Sequence, residues 1–149
     1  MKKRSGKNIP KGSFMSCKKM VLALPIFASN VSAGFPSPAD DFIEDSIDLN
    51  KKLIKHPAAT FFVRAQGSSM RDAGIADGDL LVVDRALEAK NNNVVIAVLN
   101  GEFTVKRLIK KGKKGYLLPE NSLYKPIEIT NDLDFAVWGV VTNVIHNVQ

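Results

Sequence analysis

Ser69 and Lys106 are the two side chains in this 149-residue chain whose types and settings suit covalent hydrolysis without a histidine, and the small-residue bond Ala33-Gly34 suits them as a substrate. Gly67-Ser68-Ser69-Met70 follows directly on a β-rich run, where the chain must turn. A serine on such a turn exposes its hydroxyl beside backbone N–H groups, here those of Ser69 and Met70, which is what a nucleophile with an oxyanion hole needs. The ordinary structural alternative is that Ser69 caps a short helix begun by Met70-Arg71-Asp72.

Lys106 stands in the middle of a second β-rich run. By the two-residue period Thr104, Lys106 and Leu108 share one face, while Phe103, Val105, Arg107 and Ile109 share the other. Both faces are mixed, and a mid-strand lysine ordinarily lies on the solvated side. The functional alternative is burial. Desolvation disfavours the ammonium and lowers a lysine pKa by up to ~3–5 units, so that a neutral amine can take a serine proton near neutral pH.

At Ala33-Gly34, small residues on both sides of the bond let an extended backbone enter a narrow cleft without side-chain collision. The same segment admits other readings. One is an ordinary loop. Another is a signal peptide, because Lys18-Lys19, the apolar run from Met20 and Val31-Ser32-Ala33 imitate its charged, apolar and small-residue parts. Pro25 within the apolar run, the polar Ser29-Asn30 and the long basic stretch in front oppose that reading.

These residues must be positioned by a single domain with a tail, since the length allows one proper core and hardly two. The lone Cys17 excludes an intramolecular disulfide framework and any multi-cysteine zinc site, as in a cytoplasmic protein. His56 and His146 are the only histidines, so neither a Ser-His-Asp triad nor a His-rich metal site is expected. Residues 1–33 hold seven Lys/Arg and no acid; the remaining 14 Lys/Arg against 15 Asp/Glu leave a net charge of −1. Basic character therefore belongs to the tail, and the folded part shows no phosphate-binding stripe and no helix-turn-helix pattern. Direct sequence-specific DNA binding is not expected.

Residues 1–19 read as a flexible arm, rich in Lys, Gly and Ser. Met20 to Val31 is apolar but interrupted by Pro25 and too short for a membrane-spanning helix. From Gly34 to Asp41 the run GFPSPADD reads as an extended linker fixed by Pro36 and Pro38. The tail is thus assigned to 1–41 and the domain to 42–149, where a short helix capped by Asp48 or Asn50 and stopped at Pro57 opens the fold. Strands follow over Thr60–Ala65, Leu80–Val83 and Val94–Leu99. Asn100-Gly101 predicts a type I′ hairpin pairing Val94–Leu99 with Glu102–Ile109, in a register that sets Leu99 against Glu102 and Val95 against Lys106. A turn over Lys110–Gly115 leads to Tyr116–Leu118, and Ile127–Ile129 and Val137–Ile145 complete a mostly β, folded, barrel-like domain.

Residues 33–145 resemble the UmuD branch of the LexA/UmuD self-cleaving serine peptidases. The resemblance rests on AGFPSPADD, IDLNKKLIKHPAATFFVRA, Gly67-Ser68-Ser69-Met70, GIADGDLLVVD, the Asn100-Gly101-Glu102-Phe103-Thr104-Val105-Lys106 hairpin and LPEN, in order and at matching spacing. It implies a LexA-like β domain in which Ser69 is the nucleophile, Lys106 the general base, and Ala33-Gly34 the bond cut. It also implies a cytoplasmic SOS mutagenesis protein, without cofactor or metal, whose self-cleavage is promoted by a RecA–single-stranded-DNA filament. The product beginning at Gly34 would form a homodimer and join a Y-family polymerase subunit in translesion synthesis. Two features depart from the family pattern: Ser68 occupies a commonly acidic position, and residues 1–19 are longer than expected, with Met15 and Met20 as later start candidates. Two rival functions are a non-catalytic polymerase-binding module and a secreted β domain with a signal peptide.

Overall fold

The computed structural model describes residues 21–27, 30–31, 33–34 and 43–149. The arm expected over 1–19 and all of the 34–41 linker except Gly34 fall outside them. The chain divides into two units, Met1–Asp48 and Leu49–Gln149.

In the first unit, β1 (Ala23–Phe27) pairs antiparallel with β2 (Ile43–Asp48), Leu24 against Ile47 and Ile26 against Asp45, with a register shift between Ile26 and Phe27. The apolar run around Pro25, which gives no clear period in the sequence, is thus partly strand. Pro25 is tolerated because a strand in a two-stranded ribbon has a free edge for the residue without an N–H.

The second unit opens with α1 (Leu49–Leu53), directly after Asp48 as the capping pattern predicts. Seven strands then form one sheet: β3 (Thr60–Arg64), β4 (Leu80–Asp84), β5 (Val94–Leu99), β6 (Glu102–Lys111), β7 (Lys114–Leu118), β8 (Ile127–Ile129) and β9 (Phe135–Ile145), in the order β3-β4-β9-β5-β6-β7-β8. The mostly β, folded architecture with short helices is the one expected. Its strands begin or end within a few residues of their predicted limits, since β-branched runs punctuated by Gly and Asn leave little freedom.

β5 lies at the centre and is buried on both faces. Ile96 joins a core with Ala65, Met70, Ile75, Leu81 and Val83, while Val95 and Ala97 join a second core with Leu108, Leu117 and Val140. Alternation along one strand thus feeds two cores, and the sequence VVIAVL is apolar throughout because it has no solvent face. The hairpin to β6 turns at Asn100 and Gly101, with φ of 48° and 83°, the left-handed pair that a type I′ turn requires. It sets Leu99 opposite Glu102 and Val95 opposite Lys106, as the turn chemistry predicts.

In β9, Gly139 lies opposite Ile96. A Cβ there would stand 2.6 Å from Val83 Cγ1 and 3.4 Å from the Asp84 carbonyl oxygen, and the β-branched Val83 is fully buried. Only glycine permits this approach. Gly139→Ala should therefore lower stability by about 1–3 kcal/mol through overpacking, read as a drop in the thermal midpoint; an unchanged midpoint would mean that Val83 yields without strain.

Candidate active site

Ser69 sits in the turn between β3 and β4. Gly67, with φ of 84°, lets the chain reverse, and Asp77 Oδ1 accepts from the Gly67 N–H at 2.7 Å. Met70, only 2% exposed, anchors the far side of the turn in the first core. The residues after it form a short 3-10 helix, Arg71–Ala73, closed by Gly74 in the left-handed region. No side chain caps this helix at its start. The Ser69 hydroxyl is directed elsewhere, so the capping alternative does not apply.

That hydroxyl meets Lys106. Nζ lies 3.0 Å from Ser69 Oγ, 2.9 Å from Thr104 Oγ1 and 3.0 Å from the Val105 carbonyl oxygen. Lys106 is 9% exposed, with the neighbouring Leu108 at 4% and the opposing Val95 at 0%. The solvated face ordinarily expected for a mid-strand lysine is therefore overturned: here that face of β6 is core. Burial holds the Lys106 ammonium below the usual lysine range because desolvation penalises the charged form.

The three oxygens around Nζ define the chemistry. A charged ammonium donates to all three. A neutral amine keeps two hydrogens and one lone pair. Since the Val105 carbonyl can only accept, and Thr104 supplies a second acceptor, the remaining lone pair is left facing Ser69, where it can take the hydroxyl proton. Among the described residues, the N–H groups of Ser68, Ser69 and Met70 have no hydrogen-bond acceptor, which leaves donors for a developing oxyanion. A cleft of about 350 Å³ opens beside Ser69, lined by Val63, Ala65, Leu81, Ile96 and Thr104 among others.

The histidines are used elsewhere. His56 Nδ1 lies 2.6 Å from Asp84 Oδ2, and His146 Nδ1 lies 2.5 Å from Asp79 Oδ1. The His146 contact, then the Ala76 N–H, holds the Asp79 carboxyl below its usual range. For Asp84, burial pushes the carboxyl up, but hydrogen bonds from His56 and the Ala86 N–H outweigh it, and the net direction is down. Among the described residues, no three His, Cys, Asp or Glu side chains gather as a metal site, and no helix is long and apolar enough to cross a membrane.

Ala33 and Gly34 lie in an exposed bend of the first unit. Sequence reasoning brought Ser69, Lys106 and Met70 to attention but missed Thr104 as an amine acceptor, although the two-residue period already placed it beside Lys106.

A family model for S24-like peptidases matches residues 25–142. The chain belongs to this family of serine peptidases. The matched stretch includes Ser69, Lys106 and the Ala33-Gly34 bond. As an S24 peptidase the chain is similar to protein ImpA of Salmonella typhimurium, 46% identical over 131 residues, covering 84% of this chain and 85% of the relative. It is also similar to protein SamA of the same species, 48% identical over 125 residues (84% and 86% of the two chains), and to protein MucA of Escherichia coli, 42% identical over 124 residues (83% and 84%). The LexA/UmuD resemblance read from residues 33–145 is borne out at the level of the family.

A buried lysine has a signature in stability. Because its folded pKa lies below the unfolded one, the unfolded chain binds the extra proton between those two values, and stability from this group rises with pH across that window. Lys106→Met removes the penalty. It should raise stability by about 1 kcal/mol at neutral pH, or roughly 4 °C in Tm, with the advantage shrinking as pH climbs toward the usual lysine range. A midpoint lowered at neutral pH would show that the amine stabilises the fold instead.

Proposed function

We propose that this S24 peptidase cuts its own Ala33-Gly34 bond with a Ser69–Lys106 dyad, and that the shortened form serves error-prone DNA synthesis. The observation that carries the reading is the 3.0 Å contact between Ser69 Oγ and a buried Lys106 amine. On this reading residues 1–41 are the substrate arm and 42–149 the peptidase domain.

Neutral Lys106 takes the Ser69 hydroxyl proton as Oγ attacks the Ala33 carbonyl carbon. Backbone N–H groups of the Ser69-Met70 turn stabilise the oxyanion. The Lys106 ammonium then returns the proton to the departing Gly34 amine, leaving an ester between Ala33 and Ser69. Water, deprotonated by the same amine, hydrolyses that ester and frees the serine. Since nucleophile and substrate share a chain, effective concentration replaces substrate affinity. Slow basal cutting reflects rare productive docking, which a RecA–single-stranded-DNA filament would make more frequent. The product beginning at Gly34 would dimerise and join a Y-family polymerase subunit in the cytoplasm, as the family resemblance implies.

Ser69→Ala and Lys106→Ala should each slow Ala33-Gly34 cleavage by at least about 10³-fold while the domain stays folded. Intact mass of purified protein, with and without RecA, nucleotide and single-stranded DNA, reads this out. Undiminished processing in either variant would sink the dyad, and removal of residues 1–33 from Ser69→Ala in cells would point to an external signal peptidase. Uninduced cleavage should also accelerate as pH rises and level off above the depressed pKa of Lys106, because only the neutral amine accepts a proton. A pH-independent rate in folded protein would contradict a lysine base.

A further inference from the structure

The Leu118-Pro119-Glu120-Asn121 stretch at the end of β7 contributes no side chain to the dyad, yet it is bonded to the nucleophile turn at three points. The Glu120 N–H donates to the Ser69 carbonyl at 2.7 Å, the Asp72 N–H donates to the Glu120 carbonyl at 2.8 Å, and Asn121 Nδ2 donates to the Ser68 carbonyl at 2.8 Å. Asn121 is 3% exposed, and its Oδ1 accepts the Leu123 N–H at 3.0 Å, so both ends of a buried amide are committed. The segment is itself tethered. Arg107 Nε donates to Glu120 Oε1, while Arg107 Nη1 donates to the Asn92 carbonyl at 2.8 Å.

Arg107 is the residue next to Lys106. Alternation along β6 points Lys106 toward Ser69 and Arg107 to the opposite face, so one strand holds the base directly and the nucleophile's backbone indirectly. We propose that Glu120-Asn121, tied to Arg107, is a positioning clamp that sets the nucleophile turn against the base; the proposal rests on the Ser69–Lys106 reading. The physical reason lies in peptide planarity. The Ser68 carbonyl and the Ser69 N–H belong to one rigid plane, as do the Ser69 carbonyl and the Met70 N–H. Fixing the two carbonyls therefore fixes the direction of the two N–H groups proposed for the oxyanion, together with the Ser69 Cα from which the hydroxyl projects. Asn121 and Glu120 are positioning residues and touch no reacting atom.

The test uses the full chain and a fluorophosphonate probe, which reacts with an activated serine without needing the tail to dock. Asn121→Ala and Arg107→Met should lower both Ser69 labelling and self-cleavage about 10–100-fold, the penalty for a misplaced reacting group, at a temperature where circular dichroism shows each variant folded. In Asn121→Ala the pH midpoint of cleavage should stay at the wild-type value while the plateau falls, because Lys106 keeps its burial. The exchange Arg107→Glu with Glu120→Arg should recover activity relative to either single change, and it decides the matter should Asn121→Ala fail to fold. Wild-type rates in the folded single variants, or a displaced midpoint with an undiminished plateau, would overturn the clamp. Wild-type protein that cleaves but is unlabelled at Ser69, with Ser69→Ala cleaving equally, would instead overturn the dyad on which the clamp depends.

Discussion

The contact between the Lys106 amine and the Ser69 hydroxyl depends on keeping a lysine out of water, and the second unit is organised around that constraint. A buried amine is tolerated only when its hydrogens find acceptors. Here Thr104 and the Val105 carbonyl supply them at 2.9 and 3.0 Å. Both come from the same strand as the lysine, so the acceptors need no distant element. What does come from a distance is the serine, 37 residues away in sequence.

That long-range meeting relies on the sheet as a platform. β5 packs apolar side chains on both faces and joins β6 to β9, which makes the strand opposite Lys106 among the most constrained in the molecule. The type I′ turn at Asn100-Gly101 fixes the β5–β6 register, and a slip of one residue would move Lys106 to the other face. The turn that carries Ser69 is fixed by different means. Met70 is packed in the core, Asp77 holds Gly67, and Glu120 and Asn121 hold the carbonyls of Ser69 and Ser68. Lys106 thus stands on a paired strand, and Ser69 on a turn held at several points.

A lysine base suits an S24 peptidase whose proposed substrate is part of its own chain. Removing solvent from the amine raises the neutral fraction, and tethering the scissile bond removes the need for tight substrate binding. The histidines, engaged with Asp84 and Asp79 at either end of β4, serve the fold instead.

Local sequence determined most of the strands, the α1 start after Asp48 and the β5–β6 register, because turn residues and β-branched runs act over a few positions. The type of Ser69 and Lys106, and their place on a turn and in a strand, were equally legible there. Only tertiary structure decided that the Lys106 face is core. Periodicity gives two mixed faces on β6, and the burial of Lys106 and Leu108 depends on what the fold brings to them, the Ser69 hydroxyl to the first and the core of Val95, Ala97, Leu117 and Val140 to the second. Nor did local pattern assign β1, whose residues around Pro25 become strand only through pairing with β2. The proposed clamp at Glu120-Asn121 was invisible for the same reason. A buried asparagine bonded to a carbonyl 53 residues away leaves no periodic trace, and the sequence by itself could name Ser69 and Lys106 as the proposed reacting pair but not what holds them together.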